Sequence, residues 1–392
     1  MREYEKSHPW LTFSLNTTKF DYTLWMLLGE AQSKCEHIAG VPLKPNVADK
    51  LHRLFLAKGA LGTIAIEGST LSLEEVQKAI DGKLVLPASK EYLGIEISNI
   101  VEACNTIGER LMTQGVPVLS VELLQEYNKM VLKDLAQNEN VIPGQIRKYQ
   151  VTVARYRGVP PEDCEYVLNK LCDWLNKEFI APHGLEIAFG LLKAIITHLY
   201  IAWIHPFGDG NGRTARLVEF QLLLASGVPT PAAHLLSNFY NETRSEYYRQ
   251  LEAASQTGGD VIPFIRYAVS GFIEEIRTQL KVIREQVWTV TWENYIHERF
   301  KDKNRPSDIR QKHLVLDISN RDKPVPISQI TSVSPRIAAH YAKKTAPVLL
   351  RDIEILKKME LIEKVDQSIR ATKDKILSFL PSRIPTIARI EL

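Results

Sequence analysis

The sequence predicts a mainly α-helical protein with one β-hairpin in its middle and a smaller helix-and-hairpin unit at its end. Three observations predict it. From Tyr92 to Leu280 apolar residues recur at helical spacing almost throughout. One segment inside that stretch, Arg147-Lys148-Tyr149-Gln150-Val151-Thr152-Val153, alternates instead and is rich in β-formers. After Asp302-Lys303-Asn304-Arg305-Pro306 the remaining ~85 residues read helix, short segment, helix, helix, hairpin.

Residues 1–90 mix short aromatic segments with helical pattern, and a helix is predicted over 47–67, stopped by Gly68. Ser72-Leu73-Glu74-Glu75 has the spacing of a capping box and opens a helix through Ile80, followed by a turn at Asp81-Gly82-Lys83. Further helices are predicted over 91–114, 121–131, 161–176, 185–204, 213–226, 244–255 and 260–282. The alternating segment is followed by Tyr156-Arg157-Gly158-Val159-Pro160-Pro161, read as a turn. A lone hairpin is marginally stable, so this one needs a helical surface or a ligand to lie on. A charged, Trp-bearing helix over 283–303 reads as a linker. Residues 1–95 are thus expected to form an N-terminal region, 96–282 the core, 283–304 the linker and 305–392 the last domain.

Composition excludes little. A chain of 392 residues can hold two or three domains, and 45% hydrophobic with 24% charged residues is ordinary for a globular protein. A formal charge of +3 argues neither for a globally basic nucleic-acid binder nor for an acidic tail, and leaves room for a local basic patch. Cys35, Cys104, Cys164 and Cys172 match no zinc or redox spacing, so free buried thiols in a cytoplasmic protein are expected. Met1 to Pro9 carries Arg2, Glu3, Glu5 and Lys6 and does not read as a signal peptide. The most apolar segment, 187–204, is interrupted by Lys193, Thr197 and His198 and reads as a core helix rather than a membrane span.

The chemistry is concentrated in His205-Pro206-Phe207-Gly208-Asp209-Gly210-Asn211-Gly212-Arg213 and Arg216. Pro206 ends the preceding helix and leaves His205 at its mouth. Gly208, Gly210 and Gly212 allow positive φ and close approach of a ligand to the backbone, so successive N–H groups can form an anion nest. The helix that follows adds its N-terminal donors and partial positive charge. Arg213 and Arg216, three apart, can both face an anion from its first turn, while Leu217, Phe220 and Leu224 form a stripe that buries it. Together these describe a polyphosphate site, with Asp209 the natural magnesium ligand and His205 the natural general base. Nine specified positions at usage near 5% each recur by chance on the order of 10⁻¹² per window.

This string resembles the signature of the Fic (filamentation induced by cAMP) family, His-Pro-Phe-x-Asp/Glu-Gly-Asn-Gly/Lys-Arg-x-x-Arg, without departure. The resemblance covers roughly residues 100–280. It implies an all-helical Fic core with a β-hairpin flap over the active site, and transfer of AMP from Mg-ATP to a Ser, Thr or Tyr hydroxyl of a target protein. It implies that His205 deprotonates that hydroxyl and that Asp209 holds Mg²⁺. It places ATP on Gly210, Asn211, Gly212, Arg213, Thr214, Ala215 and Arg216, with the two arginines on the β and γ groups. Kinase-like Doc members carry Lys where this chain has Gly212, which favours nucleotidyl transfer here. The flap is expected near 147–157, pairing with the extended target segment by strand addition. Arg244-Ser245-Glu246-Tyr247-Tyr248 resembles the stretch that supports adenine, with Tyr248 as the contact; some members place an Asn further on, where this chain has Ser255.

Thr63-Ile64-Ala65-Ile66-Glu67-Gly68 fits the family's inhibitory pattern, Ser/Thr-x-x-x-Glu-Gly/Asn. A carboxylate beside Arg216 occupies the guanidinium that the γ-phosphate needs. Thr63, Glu67 and Gly68 are therefore expected to form an autoinhibitory element, and relatives with such an N-terminal element often form homodimers. Residues ~305–375 resemble a winged helix-turn-helix domain, whose candidate DNA phosphate contacts are Arg336, Lys343, Lys344, Arg351, Lys357 and Lys358. The sequence thus predicts an autoinhibited protein adenylyltransferase with no membrane association. Other nucleotidyl transfer or AMP removal by the same site, and a nucleotide-sensing DNA-binding regulator, are the alternatives.

Overall fold

The computed structural model describes residues 2–153, 156–321 and 323–376. They form two compact units divided between Leu280 and Lys281. The first contains α1 (Glu3–Ser7), α2 (Tyr22–Ala39), α3 (Pro45–Ala65), α4 (Leu73–Ile80), α5 (Glu91–Gln114), α6 (Val121–Val131), α7 (Pro161–Lys177), α8 (Glu186–Ile204), α9 (Asn211–Ala225), α10 (Thr230–Ala233), α11 (Leu235–Glu242), α12 (Arg244–Gln256) and the start of α13 (Ile262–Arg299). Helices α8 and α9 pack on each other at its centre. Around them lie α2 and α7 against α8, and α3, α5 and α6 against α9.

The helix ends follow the capping chemistry. Asp21 caps α2 by accepting from Leu24 N at 2.9 Å. Ser72 and Glu75 make the expected reciprocal box at the start of α4. Pro45 and Pro161 stand in the first turns of α3 and α7, where a missing N–H costs nothing. Helix α8 is long and apolar enough to cross a membrane, but 83% of its apolar window is buried inside the fold, as a core helix requires. The four cysteines are free and buried, and burial pushes the thiols of Cys35, Cys104 and Cys172 up to about 12 and that of Cys164 to about 11.

The structure adds the short helices α1, α10 and α11, which the sequence does not predict, and departs from the sequence expectations in five further places. Helix α2 was hidden among the aromatic segments of the N-terminus, although Leu24, Leu28, Ala31, Cys35 and Ile38 recur along one buried face. Helix α3 ends at Ala65, so Glu67 sits in the turn beyond it rather than on the helix. Helix α9 begins at Asn211, two residues early, and is buried from Arg213 to Leu223 on every side; Leu224 is only half-buried, so no one-sided stripe fixes it. Tyr156–Arg157, expected as a turn, is a strand (β2) paired antiparallel with β1 (Thr152–Val153). Its register is held from outside, since Tyr156 Oη donates to Trp203 O at 2.8 Å. Finally, α13 runs unbroken through 282.

The second unit contains α14 (Pro306–Ser319), β3 (Val325–Pro326), α15 (Pro335–Tyr341), α16 (Ala346–Lys358), β4 (Ile362–Val365) and β5 (Ser368–Ala371). The strands form an antiparallel sheet in the order β3-β5-β4. Its core gathers Trp292, Leu314, Val315, Ile337, Leu356, Leu361 and Ile369. Asp352 is turned into it, accepting from Arg310 Nε at 2.6 Å, Gln311 Nε2 at 2.7 Å and Tyr341 Oη at 2.9 Å. That ties α14, α15 and α16 together through one neutralised charge.

Candidate active site

The site lies where α8 ends and α9 begins. His205 is the C-cap of α8 and adopts the left-handed conformation, φ 51° and ψ 58°, which a non-glycine residue holds only when its surroundings fix it. Asn211 locks the loop that follows. Its Oδ1 accepts from Phe207 N and its Nδ2 donates to Phe207 O, both at 2.9 Å, so the amide closes the turn as a paired strand would. Gly210 caps α9 at φ 74°, and a side chain there would also strike Asn128 and Leu132. Asn128, buried on α6, donates to Asp209 O at 2.9 Å and accepts from Gly144 N at 2.9 Å. The loop is therefore fixed from within and from below.

Burial holds His205 well under its ordinary value, at about 4. The Ala202 carbonyl and the Glu67 and Asp209 carboxylates oppose this, and the Arg147 guanidinium reinforces it. Nδ1 lies 3.4 Å from Ala202 O. A carbonyl can only accept, so Nδ1 carries the proton and Nε2 keeps a free lone pair. The ring is a neutral acceptor throughout the physiological range.

Asp209 projects into solvent, with Oδ1 accepting from Gly210 N at 2.6 Å and Oδ2 lying 3.2 Å from Arg213 Nη2. Arg213 also donates from Nη1 to Glu96 Oε1 at 2.9 Å. Burial raises the Glu96 pKa despite the opposing Arg213 charge, and Asp209 and Glu67 add to the rise. Arg216 is almost fully buried and donates from Nη2 to Glu67 Oε1 at 2.5 Å and to Thr63 O at 2.9 Å. Burial works to raise Glu67, but the charge and hydrogen bond of Arg216 and the charge of Arg213, joined by His205 only where its ring is protonated, outweigh it and the carboxyl stays below its ordinary value. Three buried donors nevertheless have no hydrogen-bond partner among the described residues: Arg213 Nε, Arg216 Nε and Arg216 Nη1. Buried guanidinium donors left unpaired are costly and mark a place for anionic oxygens.

The predicted residues thus come together, with differences in role. Thr63 contributes its carbonyl; its hydroxyl donates back to Gly59 O at 2.9 Å. Gly68 turns the chain after α3 at φ 106°. Gly212 leaves room for the carboxylate, since a Cβ there would stand 2.2 Å from Glu67 Oε1. Thr214 and Ala215 are interior, and Thr214 Oγ1 lies 3.3 Å from Asn128 Nδ2. Tyr248 is exposed and its Oη donates to Ile66 O at 3.3 Å, beside the Glu67 turn. Tyr247 is buried against His198, 2.8 Å from its Nε2. Sequence reasoning missed Glu96, Asn128 and Arg147. For the first two there was a signal: a polar residue on an otherwise apolar helix face, next to Leu93, Ile97 and Ile100 in α5 and to Leu124, Tyr127 and Val131 in α6. Arg147 gave none.

Comparison with known proteins gives a family match over part of the chain. Residues 118–223 match the Fic/DOC family. The chain is 33% identical over 206 residues to protein adenylyltransferase fic-1 of Caenorhabditis elegans, covering 52% of this chain and 37% of that protein. It is 29% identical over 204 residues to protein adenylyltransferase Fic of Nematostella vectensis, covering 52% and 44%. The match therefore spans less than half the length of these curated relatives. The fold is similar to a solved Fic family protein from Desulfovibrio desulfuricans G20, with a TM-score of 0.57, 19% identity and coverage of 92% of this chain and 98% of that one. A solved fragment of C. elegans Fic-1 aligns with a TM-score of 0.54 and 24% identity over 67% of this chain and 73% of that one.

Proposed function

We propose that this chain, which carries a Fic domain over residues 118–223, transfers AMP from Mg-ATP to a hydroxyl side chain of a target protein and is held off by Glu67. The observation that carries the proposal is the set of three buried, unpartnered guanidinium donors in the first turns of α9, the helix that follows the His205 loop. The adenylyltransferase names of the relatives fit it.

In this reading His205 Nε2 accepts the proton of the target hydroxyl while its Nδ1–H stays on the Ala202 carbonyl. The hydroxyl oxygen bonds to the α-phosphorus, and the bond from that phosphorus to the oxygen bridging to the β-phosphate breaks, releasing pyrophosphate. The N–H groups at the start of α9 and the free donors of Arg213 and Arg216 receive phosphate oxygens, so positioning and charge neutralisation do most of the catalysis. Mg²⁺, when bound, supplies charge neutralisation. A single solvent-facing carboxylate, Asp209, fits an ion that prefers one or two carboxylates plus phosphate oxygens. Tyr248, beside the Glu67 turn, supports the adenine. The paired strands β1 and β2 act as the flap that receives the target strand.

Glu67 blocks this cycle by filling the Arg216 face that the γ-phosphate requires. Gly212 makes the block feasible, because any side chain there would collide with the carboxylate. Labelled ATP with magnesium tests the reading on the parent, Glu67→Gly and Glu67→Gly/His205→Ala. Label that rises in the first variant and vanishes in the second supports a histidine-dependent transferase. Equal label in all three would sink it.

The second unit takes the winged helix-turn-helix arrangement in this reading. Its order of helix, short strand, two helices and hairpin supports that, with α16 as the recognition helix.

A further inference from the structure

The last carbonyls of a helix have no partner within it and must be met from outside. At the end of α8 nearly all the outside donors come from one place. Arg147 Nε donates to His205 O at 2.7 Å and Nη2 to Ile204 O at 3.4 Å. Its backbone N donates to Pro206 O at 3.0 Å, and Val159 N donates to Ile204 O at 3.3 Å. Ile146 pairs with Phe207 as an antiparallel bridge. The same guanidinium reaches the hairpin stem, with Nη1 on Tyr149 O at 2.7 Å and Nη2 on Val159 O at 2.5 Å.

Two features set this arginine apart. It is only 4% exposed, yet among the described residues no carboxylate pairs with it; backbone carbonyls and the negative end of α8 neutralise it. Its contacts also flank one residue. The Ile204 and His205 carbonyls belong to the peptide planes on either side of His205, so fixing both fixes that residue's φ and ψ. Those angles are the left-handed ones that His205 holds only under constraint. Gly158 leaves space for the clamp, since a Cβ there would stand 2.9 Å from Arg147 Nη2 and 3.2 Å from His205 Cβ.

We propose that Arg147 is a positioning residue that aims His205 at the reacting hydroxyl and keys the paired strands β1 and β2 to it, so that the base and the target-receiving segment hold one register. This rests on His205 as the base and the hairpin as the flap. Lysine cannot replace the fork, because a point charge cannot meet four carbonyls spread around a plane.

The test uses the full chain carrying Glu67→Gly, with Arg147→Lys and Arg147→Met added separately. Self-labelling is followed against ATP concentration, and amide hydrogen exchange is read on the same proteins. The maximal rate should fall about 10²-fold in Arg147→Met and less in Arg147→Lys, as expected when a reacting group is misplaced by ~1 Å. The ATP concentration at half-maximal rate should stay within about twofold, because Arg147 lies on the base side and not on the phosphate nest. Exchange should rise together at 146–159 and at 201–207. Full maximal rate in folded Arg147→Met would overturn the proposal, as would exchange that rises at 146–159 alone. If Glu67→Gly itself fails to label, the transferase reading fails while the exchange result still decides whether Arg147 couples the two segments.

Discussion

The 205–216 loop and the 63–68 turn meet at Arg216, yet they are built differently. The loop is fixed by reciprocal and buried bonds: Asn211 to both polar groups of Phe207, Asn128 to Asp209 O, Arg147 to His205 O. The turn reaches Arg216 through one carboxylate and one carbonyl, both on its Nη2, and takes one further bond from Tyr248 Oη at Ile66 O. Machinery that must be exact is held by many partners, whereas a block that must be removable is held by few. The difference says which substitutions should destroy the site and which should release it.

The largest effect belongs to the loop. His205→Ala in the Glu67→Gly background should lower the labelling rate by about 10²–10⁴-fold, the usual worth of a general base. Nucleotide binding, measured separately by calorimetry, should be little changed. The next belongs to the turn. Glu67→Gly should raise labelling by about 10–100-fold, the span of a coupling between two sites that share one group. Its melting temperature should move by only a few degrees. If Glu67→Gly instead melted the fold, the turn would be structural and the contrast would be lost.

Asn128→Ala probes the scaffold itself. It strips Asp209 O and Gly144 N of a buried partner, which costs about 2 kcal/mol and lowers the melting temperature by roughly 4–8 °C in a unit of this size. A drop below ~1 °C in a thermal scan would show that the loop does not depend on α6.

How much of this was legible in the sequence follows the same contrast. The catalytic loop was readable because glycine, proline and charged residues stand side by side there, each with a local backbone consequence. Helices such as Glu91–Gln114 and Val121–Val131 were readable from period alone. Glu67 was readable only through the family pattern, since nothing local distinguishes it from an exposed residue after a helix. The supports were not readable. Arg147 lies 58 residues from His205, and its role comes from where the chain returns. The early start of α9 was hidden because Asn211 and Gly212 favour loops by propensity, and only the Phe207 pairing commits them to a helix.

Acid titration moves the rate least and gives the sharpest comparison between the two regions. His205 is held at about 4, against an ordinary 6.5, chiefly by burial. Transfer needs the neutral ring, so the labelling rate of Glu67→Gly should stay level from about pH 8 down to about 5 and fall only below that. Stability should move over a wider window. A histidine whose folded pKa is depressed binds its proton more readily when unfolded, so its stabilising contribution is complete above 6.5 and is lost as the pH falls towards the folded value. His234, stacked on Phe220 and buried, is held at about 3 and acts in the same direction. The melting temperature should therefore decline steadily from pH 7 to 5 while the rate of the folded enzyme holds. A rate limb centred near 6.5 would mean that His205 is solvated in the working state. The many bonds that fix its backbone would then leave its ring free, and the loop would be rigid in frame but open at the base.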